Sequence, residues 1–300
     1  MKKKTYLFAL MAMALTLGSC SDNENGIGGE TSKYITVSTS IGNMTRVATD
    51  EKGGQTFEEG DEISVYAWTG DATVAPETLE RVVNNAINKL TNGSWVSTPQ
   101  MLWKNNRDKH YFIGVYPISA ISDLSAGEYT FDVNKQTESD LLVAVNKDGL
   151  SYNVDEQQTV PLTFTHVMAK LVVNLTYKNQ WGGIPTVEKV VVGNAAKEAT
   201  INYLTKVVTP STTAKEDFSL PEITENTKYV SVIIPQEDVK QLTIVIGGKN
   251  FVYDNGTPFK LESGKITTVN LEVGRDEIKL GDVKITDWEN GSTFSDEALN

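Results

Sequence analysis

The chain has 300 residues, with 27 Lys+Arg against 39 Asp+Glu and a formal net charge of −12 at pH 7. That excess of carboxylates repels nucleic acid and anionic lipid and favours solubility outside the cell. One cysteine and two histidines rule out an internal disulfide and leave little from which to build a metal centre.

In chain order, the first element is an export signal. Lys2, Lys3 and Lys4 precede an apolar run from Tyr6 to Leu17, which is too short to span a bilayer as a mature helix. Leu17-Gly18-Ser19-Cys20 resembles the lipobox of bacterial lipoproteins, which makes 1–19 a signal peptide and puts the lipid on the Cys20 thiol. The two or three acyl chains of a lipoprotein suffice for lasting attachment to the outer membrane. Residues 20–32 are acidic and glycine-rich, a flexible tether with too few apolar residues to order itself. Removal of the leader takes three lysines and no carboxylate, leaving 24 basic residues against 39 acidic ones and a charge of −15.

The remainder has the period of strands. Tyr34 to Ile41 alternates, with Ile35, Val37 and Ile41 on one face. Glu62–Trp68, Tyr111–Tyr116, Tyr129–Val133 and Leu141–Val145 follow, and Thr163 to Leu175 is the longest run. In that run Val167, Ala169, Leu171, Val173 and Leu175 share a buried face, while His166, Met168, Lys170 and Asn174 share a wetter one. Val187–Val192, Tyr229–Ile234, Leu242–Ile246, Asn250–Tyr253 and Thr267–Val273 complete the series, with turns at Gly247-Gly248 and Ser263-Gly264. Pro76 to Leu90 reads differently. Leu79, Val82, Val83, Ala86, Ile87 and Leu90 fall at helical spacing, which predicts a short helix over 77–86. Many short strands without a βαβ rhythm predict an all-β fold of β-sandwiches. The polar stretch Asn146 to Thr159 divides the body into units at 33–158 and 159–300.

No catalytic constellation emerges. His110 and His166 are far apart and neither lies near a second metal-ligand type, so no metal site is expected. HExxH, CxxC, GxSxG and a phosphate-binding glycine loop are all missing from the sequence. The many carboxylates read as a solvated surface, since nothing singles out a catalytic pair. The five tryptophans sit in or beside strands and read as core. No catalytic residue and no cofactor is expected, and the protein is not an enzyme on this reading.

Specific strings carry more than composition. Phe57-Glu58-Glu59-Gly60-Asp61-Glu62-Ile63-Ser64-Val65 resembles the F-x-x-G-D-x-I-x-V motif of the fimbrillin (FimA/Mfa-like) families of Bacteroidetes. Trp103 with Val115-Tyr116-Pro117 resembles the W…Y-P block of those families, and Asp140-Leu141-Leu142-Val143-Ala144 their D-L-L-x-A strand. Leu162 to Leu171 is similar to the L-x-F-x-H-x-M-A-K-L signature, and Ile285-Thr286-Asp287-Trp288 to the closing I-x-x-W. The blocks run in family order over nearly the whole chain.

This resemblance implies two tandem transthyretin-like Greek-key β-sandwiches in a surface fimbrial subunit. It also implies a hairpin over Ile87 to Val96 around Thr91-Asn92-Gly93. Fimbrillins of this type reach the surface as lipoproteins and are then cut after an arginine by an extracellular arginine-specific protease. Arg46 is the only arginine in the first eighty residues, so Arg46-Val47 becomes the candidate cleavage site. Cleavage would release the strand that carries Tyr34, Ile35, Val37 and Ile41 and open a groove for a strand of a neighbouring subunit. The candidate donor is Glu277 to Trp288, with Ile278, Leu280, Val283 and Ile285 as its apolar residues. Other fimbrial subunits and a ligand on a host or bacterial surface are the partners implied, and nucleic acid is not. The alternative is a non-polymerising surface lipoprotein that binds a glycan or host ligand, which a row of exposed tryptophans would favour.

Overall fold

The computed structural model of the chain describes residues 33–42, 56–132, 134–135, 139–254 and 256–288. Cys20 and the Arg46–Val47 bond lie outside the described residues. The β-branched and aromatic runs form strands throughout, and the all-β expectation holds. The first eight strands are β1 (Thr36–Ile41), β2 (Glu62–Thr69), β3 (Val83–Thr91), β4 (Ser94–Thr98), β5 (His110–Tyr116), β6 (Gly127–Thr130), β7 (Leu142–Leu150) and β8 (Thr159–His166). All except β6 form one seven-stranded sheet in the order β1-β8-β7-β5-β2-β3-β4. Its inner strands are buried on both faces. On β2, Ile63, Val65 and Ala67 enter one core, and Tyr66 and Trp68 enter the other.

The second group comprises β9 (Ala169–Tyr177), β10 (Val187–Ala196), β11 (Glu198–Asn202), β12 (Val207–Pro210), β13 (Lys215–Ser219) and β14 (Glu222–Thr224). It continues with β15 (Lys228–Ile233), β16 (Gln241–Ile246), β17 (Lys249–Asp254), β18 (Lys265–Val273) and β19 (Ile278–Asp287). These give a four-stranded sheet β13-β10-β16-β17 and a five-stranded sheet β14-β15-β9-β18-β19. A third sheet, β12-β11-β6, joins the two groups by pairing β6 with β11. The larger core is continuous across that seam, running from Trp68 and Val143 through Leu124, Ile201 and Tyr203 to Val190 and Val232.

The predicted helix over 77–86 is not formed. One 3₁₀ turn, Thr78–Glu80, occupies its start, and β3 begins at Val83. A β-bulge explains the helical spacing. Val83 and Ala86 oppose Ala67 and Val65, so β3 spends three residues where β2 spends two. Asn85, at φ 54°, takes up the extra residue. Apolar side chains therefore recur at i and i+3 on one face of a strand. Leu79, read as core, is 99% exposed. The hairpin around Asn92-Gly93 is formed, with Thr91 opposite Ser94 and both turn residues at positive φ.

The long run Thr163 to Leu175 is two strands, not one. β8 stays in the first sheet with β1 and β7, the chain turns at Val167–Met168, and β9 enters the five-stranded sheet. The 159–166 stretch thus pairs with strands of the first group. The face expected to be wet is largely buried as well, at His166, Met168 and Lys170. Gly247-Gly248 joins β16 to β17 as a hairpin. Ser263-Gly264, expected as a second hairpin, is a turn but not a hairpin, because β17 before it and β18 after it lie in different sheets.

Candidate assembly surfaces at the first and last strands

β1 is an end strand held on one side by β8, in parallel register from Thr36 opposite Thr159 to Ile41 opposite Phe164. Ile35, Val37 and Ile41 are buried in the smaller core beside Val160, Leu162 and Phe164, whereas Tyr34 is half exposed and pairs with Leu102. Burial of each of these three aliphatic side chains stabilises the strand by roughly 1.5–3 kcal/mol. The seven-stranded sheet also curls until its two end strands face each other. At the start of β1 the gap is closed, with the Ile35 N–H donating to the Met101 carbonyl at 3.0 Å and the Trp103 N–H to the Lys33 carbonyl at 3.2 Å. Further along, β1 and β4 diverge into a cleft of about 590 Å³. Thr36, Ser38, Ser40, Ser94 and Trp95 line it, and no ionisable side chain does among the described residues. Trp95 Nε1–H reaches across to Thr39 Oγ1 at 3.0 Å.

The floor of the cleft is built from the family-like blocks. Phe57 meets Trp95, Tyr116 and Phe164 edge-on, with centroids 5.3, 5.3 and 5.1 Å away. The turn after Phe57 needs Gly60, whose φ is 97°, because the Asp61 carboxylate folds back to accept the Glu58 N–H at 2.7 Å. Burial, reinforced by Asp61, pushes the Tyr116 phenol up to about 12, so it is a neutral donor to that carboxylate. The chain leaves this region at Gly42 and returns at Thr56, the flanks of the stretch that contains Arg46. Among the described arginines, Arg81 is buried, while Arg107 and Arg275 lie exposed in turns.

At the other end of the chain, β19 is the outer strand of the five-stranded sheet and pairs antiparallel with β18. Its imperfect alternation has a cause. The register shifts between Asn270 and Leu271, which oppose Asp282 and Leu280, so Gly281 is a bulge. The bulge puts Ile278, Leu280, Val283 and Ile285 on the same face, toward the core. Ile278 and Leu280 pack on that core, while Val283 and Ile285 remain 40% and 39% exposed.

Directly after β19, Trp288 is buried. Its ring lies flat on His166, with centroids 3.9 Å apart and 7° between planes. Asp140 Oδ1 holds His166 Nδ1 at 2.8 Å, and the Lys170 ammonium sits 5.7 Å from the Trp288 ring centroid. Four residues from three of the sequence blocks therefore converge on the Val167–Met168 junction, which spacing along the chain did not reveal. His110, by contrast, is a core histidine. Nε2 accepts the Lys104 N–H at 3.0 Å, Trp103 packs edge-on at 5.0 Å, and burial pushes its pKa down. Trp68, Trp103 and Trp288 are buried and Trp95 and Trp181 half-buried, so no row of exposed tryptophans is present. No group of three or more potential metal ligands occurs among the described residues.

Known proteins resemble this chain in sequence and fold. The fimbrillin-like family model matches residues 45–288. A protein assigned as fimbrium subunit Fim1C of Bacteroides uniformis is 25% identical over 97% of both chains. The fold is shared with a crystal structure of a protein assigned to cell adhesion from Bacteroides uniformis, at TM-score 0.64 and 18% identity over 85% of this chain and 98% of that one. It is also shared with a fimbrial protein from Bacteroides vulgatus, at TM-score 0.53 and 13% identity over 84% and 99%. With its sequence blocks gathered at the two strand sites and the family match covering nearly all of the described residues, the chain belongs to the fimbrillin-like family.

Proposed function

We propose that the protein is a subunit of a cell-surface fimbrium, exported as an outer-membrane lipoprotein through Cys20 and assembled by strand exchange after an arginine-specific protease cuts at Arg46–Val47. Its partners are other fimbrial subunits. Membership of the fimbrillin-like family supports the subunit role. The observation that carries the assembly route is the position of β1. It is an end strand, it fills the smaller core with Ile35, Val37 and Ile41, and its only ladder partner among the described residues is β8. Loss of such a strand leaves a row of unpaired backbone groups on β8 and an apolar trough over Val160, Leu162 and Phe164. A β-strand with several apolar residues on one face fits that trough, and β19 offers Ile278, Leu280, Val283 and Ile285. Cys20 is then a temporary anchor, severed from the fold with β1. The two groups of strands correspond to two tandem transthyretin-like units in this scheme.

The test is to treat the purified precursor with an arginine-specific protease, sequence the new N-terminus, and follow mass by native gel and fibres by microscopy. Cutting at Val47 followed by ladders is expected, and Arg46→Ala is expected to stay monomeric. Clean cutting at Arg46 without a change in mass distribution would sink strand exchange. Ladders from Arg46→Ala would remove that residue from the route. N-terminal sequencing separates Arg46 from the exposed Arg107 and Arg275.

A further inference from the structure

The two strands invoked for assembly are linked indirectly, through β8 and the ring pair at its end. Among the described residues β8 is the only ladder partner of β1, and it pairs with β7 over Phe164–His166 alone. Thr159 to Thr163 therefore rely on β1 for their backbone ladder. β8 ends at His166, whose imidazole is fixed by Asp140 at 2.8 Å and stacked on Trp288 at 3.9 Å. Trp288 closes β19. Its backbone N–H donates to the Gly264 carbonyl at 3.0 Å, and the Gly264 N–H donates to the Met168 carbonyl at 2.8 Å. Ser263 Oγ–H also donates to the Val167 carbonyl at 2.8 Å. The end of the last strand is thus seated on the turn that immediately follows β8. A contiguous path of contacts runs from β1 through β8, His166 and Trp288 to β19.

We propose that Trp288 is a latch that couples the seating of β19 to the seating of β1. With β1 in place, β8 is held on both sides near its end, His166 presents a fixed ring, and Trp288 pins β19 to β18. When β1 departs, Thr159 to Thr163 lose their ladder and Phe164 to His166 keep only the one with β7, so the His166 ring loses the support of an ordered strand and the end of β19 is loosened. Val283 and Ile285 add little to hold it, being about two-fifths exposed. The edge that could accept a strand and the strand that could be donated then become available together, and neither is offered by an unprocessed subunit. The assembly role of this latch rests on the strand-exchange route above. The coupling itself is a property of one uncleaved chain and is testable there.

Coupling is reciprocal, so a change at either end must be felt at the other. Native-state amide exchange on the uncleaved monomer reads this directly. Trp288→Leu keeps apolar bulk but removes the stack, and Trp288→Phe keeps a ring. Trp288→Leu is expected to speed exchange about tenfold at 282–287 and at least threefold at Thr36–Ile41 and Thr163–His166, while Trp288→Phe stays within twofold of the parent. In the reverse direction, Ile41→Ala is expected to speed exchange at 282–287. Val269→Ala, which loosens β19 without touching His166, should leave Thr36–Ile41 unchanged. The amides of β16 and β17 serve as the internal standard that each variant is folded. Unchanged exchange at Thr36–Ile41 in Trp288→Leu, or the same acceleration there in Val269→Ala, would overturn the latch. Because nothing is cut or polymerised, that result is distinguishable from a failure of strand exchange itself.

Discussion

Trp95 Nε1–H donates to Thr39 Oγ1 at 3.0 Å, a side-chain bond that crosses the open end of the cleft between β4 and β1. No backbone ladder does so there, because β1 and β4 are the two end strands of their sheet. Replacing Thr39 by Val keeps the shape and leaves the indole N–H unpaired. The expected cost in urea unfolding is about 1 kcal/mol. The larger expected effect is local, as faster amide exchange at Thr36–Ile41 than at β5 or β7.

Arg81 is buried and ties the segment before β3 to the loop after β5. Its guanidinium donates to Ile121 O and Ser122 O at 2.9 and 2.7 Å and to Asn84 Oδ1 at 2.9 Å. Arg81→Met leaves Ile121 O and Asn84 Oδ1 without this donor, Ser122 O keeping the Thr78 hydroxyl, and is expected to cost about 2 kcal/mol in urea unfolding. Arg81→Lys keeps the charge but not the planar fork, and an expected cost of about 1–2 kcal/mol separates geometry from charge.

His110 sets a pH dependence. Burial is the main cause of its depressed pKa, so the folded state holds the ring neutral while the unfolded state takes up a proton below about 6.5. The unfolded chain binds more protons between the folded value and 6.5, so stability is complete above 6.5 and declines as pH falls through that window. Urea midpoints at pH 7.5 and 5.5 should differ less in His110→Gln than in the parent. Equal differences would assign the acid sensitivity elsewhere.

Gly281 is the extra residue that returns β19 to register. Its deletion closes the bulge, since Leu280 and Asp282 then oppose Leu271 and Asn270 as direct neighbours and Ile278, Leu280, Val283 and Ile285 stay on one face. A change of less than about 1 kcal/mol is expected, measured by thermal or urea unfolding. Gly281→Ala keeps the bulge, places a Cβ 3.2 Å from the Asn270 carbonyl oxygen and should cost more than the deletion.

Sequence pattern revealed the strand content and the apolar face of β1, because those depend on neighbours in the chain, while the β3–β4 hairpin followed from the family resemblance. It failed where a single residue shifts the period. The bulge at Asn85 made a strand look helical, and the bulge at Gly281 made a regular stripe look broken. It also passed over β11 to β14, which are short and lean on partners for their pairing, as Ala199 does on Tyr129. The break at Val167–Met168 was hidden because both halves of the run alternate well. The meeting of His166 with Trp288 depends on tertiary packing, and no local spacing encodes it.

The pairing of β6 with β11 bears on mechanics. β6 lies in the chain between β5 and β7 of the seven-stranded sheet, and β11 follows β10 of the four-stranded sheet; the pair is flanked by hydrogen bonds from Phe131 N–H to the Lys197 carbonyl at 2.7 Å and from Tyr203 N–H to the Leu124 carbonyl at 2.9 Å. Tension that pulled the sheets apart would have to break this stitch together with the continuous core beneath it, not merely straighten the connection at 167–168. A subunit built this way bears load as one body.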